Sequence, residues 1–204
     1  KLNIWQRILK KFGGDITETE YSDLYSSRRV IKNQHLLPKK HKHFYGKDIW
    51  KHAHDRLRDS LVPGMSFYYE IVGYVEGEEY IQSKYDYGLE VGEFDIYIYR
   101  ITQTNVKGDV IEFSAKQVQE FCKMTGLKAV PELWYGFARD IVPQSKGEDL
   151  GIWRSKLLKK LTDEYLEKDC KICKNKVPNE GIVLRKESLD LEVFKHKSFR
   201  FMER

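Results

Sequence analysis

The sequence predicts an α+β fold, with antiparallel sheets flanked by helices, and three observations carry that expectation. Runs rich in Tyr, Phe, Ile and Val read as strands at 65–74, 94–104, 110–113, 181–186 and 191–197. Stretches with apolar residues at helical spacing occur at 48–61, 115–125 and 150–168. The two kinds do not strictly alternate, and Lys107-Gly108-Asp109 forms a turn between two strands, so hairpins are expected rather than parallel crossovers. The chain has 204 residues, 41% of them hydrophobic, which is enough to bury one moderately large core.

Taken in order, residues 4–12 place apolar side chains at 4, 5, 8, 9 and 12, and Gly13-Gly14 then ends the helix. The next helix covers 48–61. In the strand at 65–74, Glu70 interrupts an apolar run from 67 to 72. The strand at 94–104 alternates, with Phe94, Ile96 and Ile98 on one face and Asp95, Tyr97, Tyr99 and Ile101 on the other. Ser114 with Gln117 is a capping box for the helix at 115–125, and Gly126 is its C-terminal cap. In the helix at 150–168, Ile152, Leu157, Leu161 and Tyr165 build one apolar face, with Lys and Glu on the other.

Charge is mildly basic, with a net +5, and is concentrated between Arg28 and Arg58, where only Asp48 and Asp55 oppose the Lys and Arg residues. That distribution suits a nucleic-acid backbone track, and equally a solvated loop and helix face. No run of eighteen apolar residues exists, so no transmembrane helix and no membrane partner are expected. The three cysteines, Cys122, Cys170 and Cys173, are an odd number and argue for a reducing cytosol, hence a cytoplasmic location. Cys170-Lys171-Ile172-Cys173 lacks the second pair a structural zinc site needs and reads as two inert thiols in a loop. His41-x-His43 and His52-x-His54 lack further ligands at suitable spacing, so zinc is not expected there either.

The most informative feature lies near the C-terminus. Glu180 heads the apolar strand Gly181-Ile182-Val183-Leu184-Arg185, and the following strand carries Lys195 and Lys197. Positions i and i+2 of a strand share a face, so both ammonium groups can address one anion, phosphate being the natural choice. The alternative is a solvated hairpin with a charged face. A carboxylate such as Glu70 inside an apolar run must meet solvent, a hydroxyl or a cation. Tyr99 by itself reads more readily as a core residue than as a platform for a ring.

These segments, in this order, resemble the covalent nucleotidyltransferases, and within them the ATP-dependent RNA ligases of the bacteriophage type. Tyr25-Ser26-Ser27-Arg28 resembles the Ser-Arg motif that follows the nucleophile. Residues 67–73, FYYEIVG, are similar to the strand with the ribose-binding Glu, although Tyr69 stands where the family usually has Gly. Residues 95–101, DIYIYRI, resemble the strand that supplies the adenine-stacking aromatic, with Tyr99-Arg100 where the family often reads Phe-Asp. Glu180 to Arg185 and Lys195 to Lys197 resemble the last two motifs. The resemblance implies a nucleotidyltransferase (ATP-grasp-like) domain spanning residues 1–204. The substrate it implies is ATP, the metal Mg²⁺ or Mn²⁺, and the partners RNA ends such as a nicked duplex or a broken tRNA. Lys195, Lys197 and Glu180 are the implied catalytic residues, with Glu180 also the metal ligand. Arg28, Glu70, Tyr99 and Arg185 are the implied nucleotide contacts.

The family's nucleophile is a Lys in Lys-x-x-Gly, upstream of Ser-Arg. Lys11-Phe12-Gly13-Gly14 has that spacing but lies at the end of a helical pattern and is followed by Asp15. The expectation is therefore that the nucleophile lies upstream of Lys1. Three readings stay open beside RNA ligation: a DNA ligase, a capping guanylyltransferase, and an inert nucleic-acid-binding module of the same fold.

Overall fold

The computed structural model describes residues 4–13, 23–33, 42–43, 45–75, 79–188 and 191–203. The chain divides into two units, 1–42 and 43–204. In the first, helix α1 (Ile4–Lys11) ends before Gly13, as its periodicity predicts. Further on, Ser26 and Ile31 form an isolated bridge around a tight turn, closed by Ser27 N–H on the Val30 carbonyl at 2.9 Å. Arg28 and Arg29 stand exposed at the tip of that turn.

The second unit is built on a four-stranded sheet. Strand β1 (Met65–Gly73) and strand β3 (Val110–Glu112) pair antiparallel with the central β2 (Phe94–Thr104), and the short β4 (Lys128–Ala129) pairs parallel with it. The core face of β2 presents Phe94, Ile96, Ile98 and Ile101. These pack with Ile49, Ala53 and Leu57 of helix α2 (Ile49–Leu57) and with Val118 and Cys122 of helix α3 (Ala115–Thr125). Asp48 caps α2 by accepting from Lys51 N–H, so the helix starts one residue later than 48–61 implies, and a short 3₁₀ turn (Arg58–Ser60) ends it. The Ser114–Gln117 capping box forms as expected, and Gly126 closes α3 in the left-handed conformation at φ 70°.

One feature of β2 departs from simple alternation. Tyr68 pairs with Arg100, but Tyr69 pairs with Ile98, so Tyr99 is an extra residue in the ladder, a β-bulge. The bulge resets the alternation. Ile101, expected on the face of Tyr99, is instead fully buried on the core face, while Tyr99 remains 45% exposed.

A second, smaller core lies under the C-terminal hairpin. Strands β5 (Gly181–Lys186) and β6 (Glu192–Lys197) pair antiparallel. Ile182 and Leu184 on one face pack with Leu157, Leu161, Tyr165 and Leu166. Helix α4 (Ala138–Ile141) contributes Ile141 to the same core. Helix α5 (Leu150–Leu161) stops short of the expected 168. The chain widens into a π turn (Thr162–Leu166), and Leu166 is fully buried there. Ile152, expected on the apolar face of this helix, is 56% exposed, so the packed face is confined to the C-terminal half. A last short helix, α6 (Phe199–Met202), follows β6 directly.

Candidate nucleotide site

The β5–β6 hairpin aims its charged residues through its register. Val183 faces Lys195 and Gly181 faces Lys197, so the two lysines share the face opposite Ile182 and Leu184. Gly181 is required by close approach: a Cβ there would lie 2.4 Å from the His196 carbonyl oxygen. Its absence lets the strands close at the end where Glu180 and Lys197 sit, and Ser198 N–H donates to the Glu180 carbonyl at 3.1 Å. Across this end, Lys195 Nζ lies 3.1 Å from Glu180 Oε1. Lys197 is exposed and makes no ion pair among the described residues.

Behind the lysines the chain is pinned. Ser198 is completely buried and donates its hydroxyl to Glu167 at 3.0 Å. The same carboxylate accepts from Phe199 N–H at 2.8 Å and Arg200 N–H at 3.3 Å. Burial alone would raise the Glu167 carboxyl, but the hydrogen bonds from Phe199, Ser198 and Arg200 outweigh it and hold the group below its usual range. Sequence reasoning missed this anchor, because a four-residue helix and a single Glu thirty residues upstream leave no periodic trace.

Glu180 is steadied from its other side. The connection between β1 and β2 packs on the segment leading to Glu180: Tyr85 donates its hydroxyl to the Pro178 carbonyl at 2.8 Å, and Asn175 donates to the Lys84 carbonyl at 2.8 Å. Cys170 and Cys173 lie half-buried in this segment and are not disulfide-bonded. Burial, reinforced by a hydrogen bond between the two thiols, pushes Cys173 up to about 12, so its thiolate is disfavoured at neutral pH.

The sheet contributes further charged and aromatic side chains. Glu70 and Tyr68 stand on the face of β1 away from the core, since the alternate residues Phe67, Tyr69 and Ile71 pack inward. Glu70 is accessible to solvent, yet its carboxyl is partly crowded by surrounding protein. That burial raises its carboxyl; Lys195 opposes the shift and Glu180 adds to it. Glu70 is therefore within electrostatic reach of both hairpin residues. Tyr99 belongs to the same group: burial raises its phenol, Glu70 raises it further, and Lys195 counts among the charges acting on it. Four residues from distant parts of the sequence, Glu70, Tyr99, Glu180 and Lys195, thus converge, with Lys197 on the same hairpin face.

Arg185 is engaged differently. It donates to the Phe113 carbonyl, and its guanidinium lies 3.5 Å from Glu112 and 3.1 Å from Glu187. It braces β5 against the start of α3. Arg28 belongs to the 1–42 unit, described above by itself. Lys39, Lys40, His35 and His41 of the basic segment lie outside the described residues. His54 is buried in α2, and His43 Nδ1 is 3.7 Å from Asp48.

Among the described residues, no group of three His, Cys, Asp or Glu side chains gathers as a metal cage. Glu180 is a single carboxylate, paired with Lys195; one carboxylate completed by phosphate oxygens is a usual manner of holding Mg²⁺. No helix among the described residues is long and apolar enough to cross a membrane.

Comparison with curated proteins gave no match, and comparison with solved structures gave none either. Residues 19–199 match the family model described as RNA ligase. That span takes in Glu70, Tyr99 and the whole β5–β6 hairpin, and it leaves Lys11 outside. A match covering most of the chain places the protein in the RNA ligase family.

Proposed function

We propose that this protein is an ATP-dependent RNA ligase of the bacteriophage type, with a nucleotidyltransferase (ATP-grasp-like) domain. It joins 5′-phosphate and 3′-hydroxyl ends through lysyl-AMP and RNA-adenylate. In the first step a lysine amine attacks the α-phosphorus of ATP, the bond to the bridging oxygen breaks, pyrophosphate leaves and the amine loses a proton. In the second, the RNA 5′-phosphate takes the adenylyl group and frees the lysine. In the third, the 3′-hydroxyl attacks that activated phosphate and AMP leaves with the bond electrons.

The observation that carries this reading is the Lys195–Glu180 pair within electrostatic reach of Glu70, inside the family match. Lys195 and Lys197 place two compact positive charges on one strand face, suited to the charge that grows on the α-phosphate oxygens. The same field favours the neutral form of an incoming lysine amine. Glu180 holds Lys195 in place and is the carboxylate for Mg²⁺ or Mn²⁺; the bound ion supplies charge neutralisation on the phosphates. Glu70 accepts from ribose hydroxyls, which satisfies a carboxylate otherwise costly to enclose. Tyr99, turned outward by the bulge, stacks on adenine. Arg28 contacts the nucleotide or the RNA end, and Arg185 acts on the nucleotide through the hairpin it braces.

The test is joining of a 5′-phosphorylated RNA strand to a 3′-hydroxyl strand by the full-length protein with ATP and Mg²⁺. Sealed product that requires ATP and the 5′-phosphate supports the proposal. Sealing only of DNA ends, or a requirement for GTP, would transfer the protein to one of the rival activities.

A further inference from the structure

The β-bulge places two consecutive side chains, Tyr99 and Arg100, off the core face of the sheet, where simple alternation would allow one. Arg100 is held firmly. Its Nε donates to Glu112 Oε1 and Oε2 at 2.9 and 3.0 Å, and its Nη2 donates to Oε2 at 2.8 Å. So fixed, its guanidinium lies over the Tyr68 ring, 4.6 Å from the centroid. The Tyr68 ring stands 6.5 Å from the Tyr99 ring at 49°, and Tyr68 keeps 36% of its surface exposed. Two aromatic rings thus form an open corner beside Glu70, and one of them is locked by an arginine whose own partner is a glutamate on β3.

We infer that Tyr68 is the second wall of the nucleobase site, set against Tyr99, and that Arg100, fixed by Glu112, is the positioning residue that holds Tyr68 in place. The inference rests on the nucleotide reading of this site. A purine stacked on one ring meets the other at its edge, and tilted aromatic contacts at this separation are favourable. The arginine sets the plane of Tyr68 before any base arrives, so less freedom is lost on binding.

The test is calorimetric titration of the full-length protein with ATP and, separately, with inorganic tripolyphosphate, which carries the phosphates and no base. Loss of a base–aromatic contact corresponds to roughly tenfold in affinity. Tyr68→Ala is therefore expected to weaken ATP about tenfold and leave tripolyphosphate unchanged, while Tyr68→Phe keeps ATP affinity. Arg100→Ala is expected to weaken ATP by itself, and to add nothing in a Tyr68→Ala background, because it acts through that ring. Unchanged ATP affinity in Tyr68→Ala, with loss in Tyr99→Ala, would overturn the inference and leave the nucleotide reading standing. Equal weakening of ATP and tripolyphosphate in Tyr68→Ala would overturn it too, by showing general damage to the site. No ATP binding by the unaltered protein would overturn both.

Discussion

Lys195 Nζ and Glu180 Oε1 meet at 3.1 Å at the open end of the β5–β6 hairpin, away from its turn. Both side chains are about half exposed, at 54% and 45%, so the pair adds little to folding stability. Its importance is positional. It keeps the Lys195 ammonium within electrostatic reach of Glu70.

Lys195→Ala and Lys197→Ala are each expected to reduce self-adenylylation by about a hundredfold or more, the usual cost of removing a transition-state cation. Thermal unfolding should barely move, since both side chains are exposed. Lys186 is the control: it lies on the same hairpin, paired with Glu192, but on the other face. If Lys186→Ala is as damaging as Lys197→Ala, the hairpin matters only as general positive charge.

Glu70→Gln separates stability from function. The folded protein raises this carboxyl, so the stability linked to Glu70 is full below its unfolded pKa and is lost as pH rises through the folded value. At neutral pH the neutral glutamine should therefore melt slightly higher than the wild type, while ATP binding falls. A variant that melts lower at neutral pH would contradict the assignment of Glu70 to a partly desolvated position.

Glu167 behaves oppositely. Its carboxyl is held below the usual range, so the stability it contributes is present above the unfolded pKa and fades as pH falls through the folded one. Glu167→Ala leaves the buried Ser198 hydroxyl without its acceptor and is expected to lower the melting temperature. Adenylylation should drop with it, because β6 runs directly into this anchor. The check is a pair of melting curves at neutral and acidic pH. The gap between wild type and variant should narrow in acid.

Gly181→Ala would press a methyl group on the His196 carbonyl at 2.4 Å. Strand separation at that end is expected to destabilise the protein by about 1–3 kcal/mol. It should also weaken the Glu180–Lys195 contact, visible as loss of activity at temperatures where the variant is still folded.

Much of this was legible in the sequence. The hairpin declared itself through an apolar strand headed by Glu180 and the i, i+2 lysines, and its register places both lysines on one face as the spacing requires. The α3 caps were likewise written in Ser114, Gln117 and Gly126. The bulge was not. Alternation through Phe94, Ile96 and Ile98 continues on paper to put Ile101 with Tyr99, and only the pairing partner, β1, reveals the skipped residue. Nor could spacing indicate that Arg185 would be taken up by Glu112, or that Arg100 would lie over Tyr68, because those contacts join strands far apart in the chain.

The most direct measurement is incubation of the full-length protein with ATP labelled at the α-phosphate and Mg²⁺, followed by denaturation. The label should remain on the protein, be released by acid as a phosphoramidate is, and disappear in Lys195→Ala. If the protein takes up no label from ATP, or if Lys195→Ala labels as well as the wild type, the group of Glu70, Tyr99, Glu180 and Lys195 is not an adenylylation site.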